Sequence, residues 1–269
     1  MKSWHNVIKY SAIALAVVLI IGIISGIMYV ISLLISTFTP DIVGEYKTYE
    51  IENDIDNVDI DLHGIDLEVV TATDSNIKVE SNYKYLTVKE KGNILLIRDK
   101  KSSYLNILGK TTVKLYIPED MIFEKVEINT GAGKTELENL QANTIDMELG
   151  AGKVSLQNIY ASDNTFIDAG AGAVIIKDSS FNNLDLKMGV GQFEFSGILS
   201  GRNSLRMGVG SSQIDLTGSL DDYKLNIEKG LGEILVDDDI INNNTQLGQG
   251  DRELFFEGGI GSIKINFSE

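Results

Sequence analysis

The second half of this chain carries a repeat of about 20 residues. Seven Gly-x-Gly triplets with an apolar central residue mark it, and their first glycines are spaced 19, 20, 19, 19, 22 and 29 residues apart. A fixed period of this length is typical of architectures in which each repeat stacks on its neighbours. The sequence therefore predicts a structural glycine ladder, formed by Gly131 and Gly133, Gly150 and Gly152, Gly170 and Gly172, Gly189 and Gly191, Gly208 and Gly210, Gly230 and Gly232, and Gly259 and Gly261.

Hydrophobicity alternates on both sides of each triplet. The residue three before the first glycine is apolar in every copy, and the residue after it is polar. The apolar residues at this position are Ile128, Met147, Ile167, Leu186, Leu205, Ile227 and Phe256. Six residues after the first glycine, a second apolar set comprises Leu137, Leu156, Ile176, Phe195, Ile214, Val236 and Ile265. Alternation with a period of two predicts strands that each bury one face.

The triplet itself is predicted to form a corner. The residue between the glycines is expected to be buried, because it is always apolar: Ala132, Ala151, Ala171, Val190, Val209, Leu231 and Ile260. Counted from the first glycine, the buried positions are then odd-numbered up to this residue and even-numbered after it. In a straight strand every second residue faces the same side, so a straight strand cannot show this change. The chain should therefore bend at the second glycine, because glycine adopts positive φ without a steric penalty. The same backbone freedom is predicted for Gly170, where a side chain would also crowd the adjacent coils.

One unit of two short strands cannot bury its apolar face alone, whereas stacked copies can. The predicted fold is therefore all-β, a β-solenoid-like stack of Gly-x-Gly repeats, and a stack of repeated hairpins is the alternative that the pattern leaves open. Residues 58–69 alternate around a degenerate corner at His63-Gly64, and residues 86–97 predict a hairpin around Gly92. Polar stretches such as 161–164 and 178–180 predict a second corner, and residues 237–251 predict a loop before the last coil.

One apolar segment lies outside this pattern. Ala12 to Ile35 is 24 residues without a charge, and such a helix is about 36 Å long, enough to cross a bilayer. Lysines precede it and acidic residues follow it, which predicts a cytoplasmic N-terminus in the cell membrane. The predicted order is a short cytoplasmic N-terminus (1–10), a transmembrane signal-anchor helix (11–36), a tether (37–50) and an extracytoplasmic β-repeat domain (51–269).

A cleaved signal peptide is the alternative for this segment. Its apolar region is normally roughly 7–15 residues long and precedes a small-residue cleavage site, whereas this stretch is longer and Phe38-Thr39-Pro40 is a poor site. The chain contains no cysteine, which argues against a lipoprotein anchor, a disulfide framework and a thiolate metal site. Gly22 and Gly26 form a GxxxG pair, a candidate helix face for a homodimer within the membrane.

The charge of the chain argues against one class of partner. The formal net charge is −16, and the first 40 residues contain two lysines and no acidic residue, so the remainder carries −18. Because phosphate binding depends on clustered Lys and Arg, no nucleic acid is expected as a partner. The same charge should keep the domain away from an anionic membrane surface.

Two segments resemble a known bacterial family. Val113–Glu119 reads VKLYIPE and Val126–Gly133 reads VEINTGAG. Both are similar to a family named for adhesins, whose members are β-strand-repeat proteins containing a domain of unknown function. The resemblance covers roughly residues 45–267 and implies adhesion at the cell surface. Some relatives look like membrane-anchored accessory proteins near envelope-stress regulators, and the resemblance implies no catalytic residues.

Three motifs suggest chemistry but fit structural roles better. Gly131-Ala132-Gly133-Lys134-Thr135 looks like the end of a phosphate-binding loop, but Ile128 stands where that motif needs its first glycine, and a strand follows. Acidic residues at 221–222 and 237–239 could hold calcium, although solvated turns are the favoured interpretation. His63 is expected to cap a turn. No cofactor, metal site or catalytic residue is therefore expected.

Three functions are compatible with these features. The leading one is a non-catalytic, membrane-anchored surface module, an adhesin or a scaffold that binds a protein or glycan partner along the solenoid. The second is an accessory protein of an envelope-stress sensing system, which would need another protein for its output because the cytoplasmic part has about ten residues. The third, an enzyme acting on wall polysaccharide, is least favoured because no carboxylate pair stands out among so many acids.

The charge asymmetry around residues 12–35 gives a prediction about topology. Protease added to intact protoplasts should digest the domain that follows Pro40, because the positive flank keeps only the N-terminus inside. Immunoblotting with an antibody against the C-terminal coil would detect this loss. Full protection of the domain in intact protoplasts, with digestion after lysis, would contradict the predicted orientation.

Overall fold

A computed structural model describes residues 42–73, 75–100, 111–242 and 244–268. The predicted membrane helix with Gly22 and Gly26, the cytoplasmic N-terminus and residues 37–41 of the tether lie outside these residues. Among the residues described, no helix has the length and apolarity needed to span a bilayer.

Seventeen strands in the described part of the chain form one sheet, and one compact unit begins at Val43. The first seven are β1 (Val43–Glu50), β2 (Asn57–Leu62), β3 (Asp66–Thr71), β4 (Lys78–Tyr83), β5 (Leu86–Lys91), β6 (Ile94–Asp99) and β7 (Thr112–Ile117). The long strands of the repeat are β8 (Ile122–Glu138), β9 (Gln141–Gln157), β10 (Tyr160–Asn182), β11 (Leu184–Ser200) and β12 (Arg202–Thr217). The remainder are β13 (Tyr223–Leu231), β14 (Ile234–Val236), β15 (Asp239–Ile240), β16 (Thr245–Leu247) and β17 (Arg252–Ser268).

The repeat forms a parallel solenoid. Strands β8 to β12 each pair with the next in parallel, and each triplet lies beside the triplet of the neighbouring coil, as Gly133 lies beside Gly152 and Gly152 beside Gly172. Because repeated hairpins would pair antiparallel, this register decides between the two predicted schemes in favour of the solenoid.

Corners fall at three positions of the repeat rather than two. The first is the glycine triplet. The second follows eight residues after the first glycine, where Asn139, Asn158 and Asp178 have φ near +50°, and Asn158 Nδ2 donates to Asn139 Oδ1 at 2.6 Å. At the third corner Asn183 has φ +52° and donates from Nδ2 to the carbonyl oxygen of Asp163. The polar stretches 161–164 and 178–180 therefore form two different corners.

The interior is filled by the apolar sets that the alternation predicted. All seven residues three before the first glycine are buried, and so are all seven residues six after it. The largest buried side chains include Phe123, Phe181, Phe193, Phe195 and Phe256. Full burial of such a side chain contributes about 1.5–3 kcal/mol, so the stacked interior is the main source of stability.

The prediction that the residue between the glycines is buried was wrong. Val190, Val209, Leu231 and Ile260 are exposed, and Ala151 and Ala171 also face solvent. In five coils the residue one before the first glycine and the residue four after it are both buried, and Met188 and Phe193 are such a pair on either side of one corner. They fill the inside of the bend, so the central residue points outward.

The two glycines of a triplet serve different purposes. The second glycine of every triplet has positive φ, between +124° and +155°, which is where the change of parity predicted the bend. The first glycine of each triplet does not have positive φ, so the prediction that Gly170 needs this backbone conformation was wrong. A Cβ on Gly170 would lie 2.6 Å from the carbonyl oxygen of Gly150, so close approach between coils excludes a side chain there.

The last coil is inserted out of sequence order. Strand β17 pairs in parallel with β12 on one side and with β13 and β14 on the other. The triplet at Gly259 therefore lies between those at Gly208 and Gly230. Residues 237–251, predicted as a loop, return the chain to this gap and contain β15 and β16.

At the other end of the solenoid, an early coil is also enclosed between two others. Strands β2 and β3 form the coil that pairs with β8, with His63-Gly64 at its corner. The later strands β6 and β7 pair in parallel with β2 and β3 on the opposite side, so this early coil is also enclosed. The predicted hairpin is present as β5 and β6, which pair antiparallel across Gly92.

Antiparallel strands close both ends of the stack. Strands β4 and β5 pair with β7 and β6 at one end, and β16 and β15 pair with β13 and β14 at the other. Residues 43–50, which were expected in the tether, form β1 and pair with β4, so the domain begins at Val43. Covering the parallel edges prevents open-ended pairing with other chains.

The corner geometry predicts how two glycine substitutions differ. Gly172 has φ +130°, and a Cβ there would overlap the carbonyl oxygen of Gly152, whereas Gly92 has φ +62° with open space around it. Gly92→Ala should therefore lower the free energy of unfolding by about 1 kcal/mol from backbone strain alone. Gly172→Ala should lower it by several times as much, because the coils must also separate. Urea denaturation of both variants measures the difference, and equal losses would contradict the proposed role of close approach.

Candidate functional site

The central residues of the last four coils form an exposed apolar ridge. Val190 lies beside Val209, Val209 beside Ile260, and Ile260 beside Leu231 in the parallel register. Their exposed fractions are 53%, 44%, 55% and 67% in that order. The coils nearer β8 carry alanines at this position, so the ridge exists only towards the C-terminal end of the stack. We refer to Val190, Val209, Ile260 and Leu231 as the ridge.

A groove runs beside the ridge because the first glycines have no side chains. Gly189, Gly208 and Gly259 line an open cavity of about 500 Å³. The buried methionines Met188 and Met207 also line it. Methionine side chains are polarizable and adapt to irregular partners, so the groove combines an apolar base with a recessed backbone.

A row of charged residues forms the opposite wall of the groove. These residues stand two positions before the first glycine of the same four coils: Lys187 beside Arg206, Arg206 beside Glu257, and Glu257 beside Glu228. Lys187, Glu257 and Glu228 are exposed, and Arg206 is half-buried with one guanidinium nitrogen 3.3 Å from Asp185 Oδ1. We refer to these four as the charged row, and its order along the stack is two cations followed by two anions.

The other end of the same face is acidic. Asp59, Asp61, Glu127, Asp146 and Glu148 line an open cavity of about 250 Å³ with Arg98, which pairs with Asp59. Within the described ranges no three potential metal ligands are grouped closely enough to hold an ion. Because these carboxylates face solvent on neighbouring strands, they give this end of the solenoid a strongly negative surface.

His63 contacts a carboxylate rather than a nucleophile. Asp99, whose side chain is nearly buried, accepts a hydrogen bond from the His63 backbone N–H at 3.0 Å, and its other oxygen lies 3.3 Å from His63 Nδ1. Burial, with Asp99 and Tyr85, raises the pKa of Tyr83 to about 12. At the degenerate corner it is the carboxylate of Asp99 that accepts the backbone N–H, and the turn-capping role expected of His63 stays a prediction.

The motifs that suggested ligand binding have structural partners. Residues 131–135 lie inside β8 without a following helix, Thr135 is buried, and Lys134 Nζ lies 2.6 Å from Glu136. The side-chain hydrogen bond from Lys134 to Glu136 raises the pKa of the Lys134 ammonium. This segment is therefore a repeat corner rather than a phosphate loop.

Three of the five aspartates considered for calcium have partners within the chain. Asp237 Oδ1 accepts the backbone N–H of Phe267 at 2.9 Å, and Asp238 lies 2.8 Å from Lys264 Nζ. Asp222 accepts the backbone N–H and hydroxyl of Ser219, and these hydrogen bonds lower the pKa of its carboxyl group. Each of these three aspartates holds a turn or joins neighbouring strands.

Sequence reasoning missed the ridge as a site because it placed those residues in the core. Only the alanines, too small to need burial, hinted that the position tolerates solvent. The polar pattern predicted that the residues of the charged row face outward, but it did not predict their order along the stack. That order depends on β17 lying between β12 and β13, so the sequence alone places Glu228 before Glu257 whereas the stack reverses them.

These observations define the class of the protein: a parallel β-solenoid with glycine corners and outward-facing rows of apolar and charged side chains. A model of the Toastrack family, DUF4097, matches residues 55–267. The chain belongs to this family, which confirms the resemblance read from the VKLYIPE and VEINTGAG segments. A search among curated proteins finds no match.

Several solved structures are similar at low sequence identity. A "putative cell adhesion protein" from Clostridium sporogenes is 12% identical, with 83% of this chain and 99% of that chain covered and a TM-score of 0.40. A "putative lipid binding protein" from Parabacteroides distasonis is 17% identical, with 84% and 98% covered and a TM-score of 0.41. A "putative adhesin" from Parabacteroides merdae is 14% identical, with 84% and 98% covered and a TM-score of 0.41.

The outward position of the ridge predicts a contrast within one strand. Ile260 and Ile265 both lie in β17, but Ile260 is exposed and Ile265 is fully buried. Ile265→Ala should lower the free energy of unfolding by about 2–5 kcal/mol through lost burial and a cavity. Ile260→Ala should change it by about 0.5 kcal/mol or less. Urea denaturation measures both, and a similar loss for Ile260→Ala would return the ridge to the core.

Proposed function

We propose that this protein is a non-catalytic surface module that binds a protein or glycan partner through the ridge and the groove beside it. The observation that carries this proposal is the ridge itself. Four large apolar side chains stand exposed and adjacent on a domain whose other outward positions are mostly polar. Contiguous exposed apolar patches on soluble domains mark interaction sites, because leaving them in water is unfavourable.

The non-catalytic part of the proposal is supported by where the polar groups lie. Hydrolases need a positioned acid, base or nucleophile in a desolvated cleft, usually with a shifted pKa. Here the carboxylates alternate outward along strands, where solvent screens them, and Leu, Ile, Val, Met and Phe fill the interior. The two larger cavities on the face that carries the charged row are both open to solvent.

We also propose that the module is held at the outer side of the cell membrane by the helix predicted at residues 11–36. The uncharged segment and the lysines before it support this placement. The chain enters the solenoid through β1, whereas the ridge lies on the last coils of the stack, so the proposed binding surface is far along the domain from the point of attachment.

The binding role can be tested in intact cells. Formaldehyde cross-linking followed by purification of the full-length chain should yield a defined higher-mass complex. Replacing Val190, Val209, Ile260 and Leu231 together by serine should abolish that complex without unfolding the domain, because these side chains are not part of the core. The matched control is Ile122→Ser with Tyr160→Ser, which removes two exposed apolar side chains elsewhere on the solenoid.

Two results would contradict the proposal. Retention of the complex by the four-serine variant would show that the ridge is not the binding surface. Soluble sugar released from isolated cell walls by the purified full-length chain would contradict its non-catalytic character.

A further inference from the structure

The charged row has an order that makes it complementary to itself. Along the stack its four positions are Lys187, Arg206, Glu257 and Glu228 in adjacent coils, so two cations are followed by two anions. A two-fold axis perpendicular to the stack reverses the order of the coils in the second copy. Each cation then faces an anion, because Lys187 meets the partner's Glu228 and Arg206 meets the partner's Glu257.

From this pattern we infer that the ridge and the charged row bind a second copy of this chain in antiparallel orientation. The inference rests on the proposed function, because it assigns a partner to the same surface. A two-fold contact of this kind uses one patch on both subunits, and it closes after two copies rather than growing into a filament.

The residues of the ridge are also complementary to themselves under this two-fold axis. Reversal of the coils places Val190 against the partner's Leu231, and Val209 against the partner's Ile260. Each contact joins a smaller side chain to a larger one, so the depth of apolar contact stays even along the ridge. A parallel arrangement with its two-fold axis along the ridge would instead place Leu231 against Leu231, and the two charged rows would then lie on opposite sides of the contact, where no cation faces an anion.

The charges favour a copy of this chain over an unrelated anionic ligand. Lys187 and Arg206 span only two coils, and Asp168 flanks them on one side and Glu257 on the other, all four lining the same groove. A polyanion longer than about 10 Å, two coil spacings, would run into these carboxylates. A partner with alternating blocks of charge avoids that repulsion, and the reversed copy has such blocks.

The contact is small, which decides how it must be tested. Four coils span about 19 Å, so the contact falls short of the roughly 800 Å² per partner of a standard stable interface. We therefore expect association that becomes appreciable when chains are concentrated at one membrane surface, where linkage raises the effective concentration. The test accordingly uses the full-length chain in its membrane.

Cysteine cross-linking can read out the orientation directly, because the natural chain contains no cysteine. Two differently tagged full-length chains are co-expressed, one carrying Val190→Cys and the other Leu231→Cys, and the membranes are oxidised. Antiparallel pairing brings these positions together and should give disulfide-linked dimers bearing both tags. Two copies of Val190→Cys would lie about 14 Å apart, three coil spacings, beyond the roughly 7 Å that a disulfide can bridge.

Charge reversal supplies an independent measurement on the same cysteine pair. Lys187→Glu alone and Glu228→Lys alone should each reduce cross-linking about tenfold, because the two-fold axis repeats each altered contact twice. Combining both substitutions should restore cross-linking to within about twofold of the unreversed pair. Lys187 and Glu228 lie three coils apart within one chain, so restoration reports on contact between chains. Lys153→Glu, an exposed position on another coil, is the matched control and should have no effect.

The outcomes separate this inference from the function on which it rests. Links that join like positions, Val190→Cys to Val190→Cys, would overturn it by showing parallel pairing of the kind a membrane-helix dimer gives. An absence of any links, with a cross-linked complex that still depends on the ridge, would overturn the second copy as partner while leaving the binding role intact. Links between unlike positions that ignore the charge reversals would overturn the role of the charged row.

Discussion

The close approach of backbones at the glycine corners is the contact on which the rest of this solenoid depends. At each glycine corner the second glycine takes positive φ. In the coils that stack on another glycine corner, a Cβ on the first glycine would meet the carbonyl oxygen of the equivalent glycine in the coil before it, and Gly152, Gly172, Gly191, Gly210 and Gly261 show the same for the second glycine. Any side chain at these positions would force neighbouring coils apart. Since the apolar rows of the interior pack coil against coil, that separation would reduce the burial that stabilises the domain.

The two ends of the stack are covered, although a regular solenoid would leave them exposed. A regular parallel edge offers unpaired backbone groups to any other strand, and a linear array can fray one coil at a time. Here the first and last coils of the sequence are each enclosed between two others, and antiparallel strands cover the outer edges. An enclosed coil cannot detach without disrupting a later or an earlier part of the chain, so the ends are tied into the cooperative unit.

The same regularity explains why binding chemistry on this protein is arranged in rows. Positions with equal offset from the glycine fall side by side, about 4.8 Å apart along the stack. A face therefore takes its character from the order of side chains in one row: acidic near β2 and β8, and apolar beside mixed charge near β12 and β17. Under the binding role proposed above, recognition would depend on the sequence of charges along the stack, which a rod-like partner or a second copy can match.

The sequence by itself determined the period, the strands, the glycine corners and the two buried rows three before and six after the first glycine, because each follows from local alternation and from glycine at fixed offsets. Only the tertiary structure decided that Val190, Val209, Ile260 and Leu231 face solvent, since this depends on how completely Met188 and Phe193 fill the inside of the bend. It also decided that Gly259 lies between Gly208 and Gly230, because pairing of distant strands outweighs chain order. The order of Lys187, Arg206, Glu257 and Glu228 follows from that insertion, and no local pattern in the sequence records it.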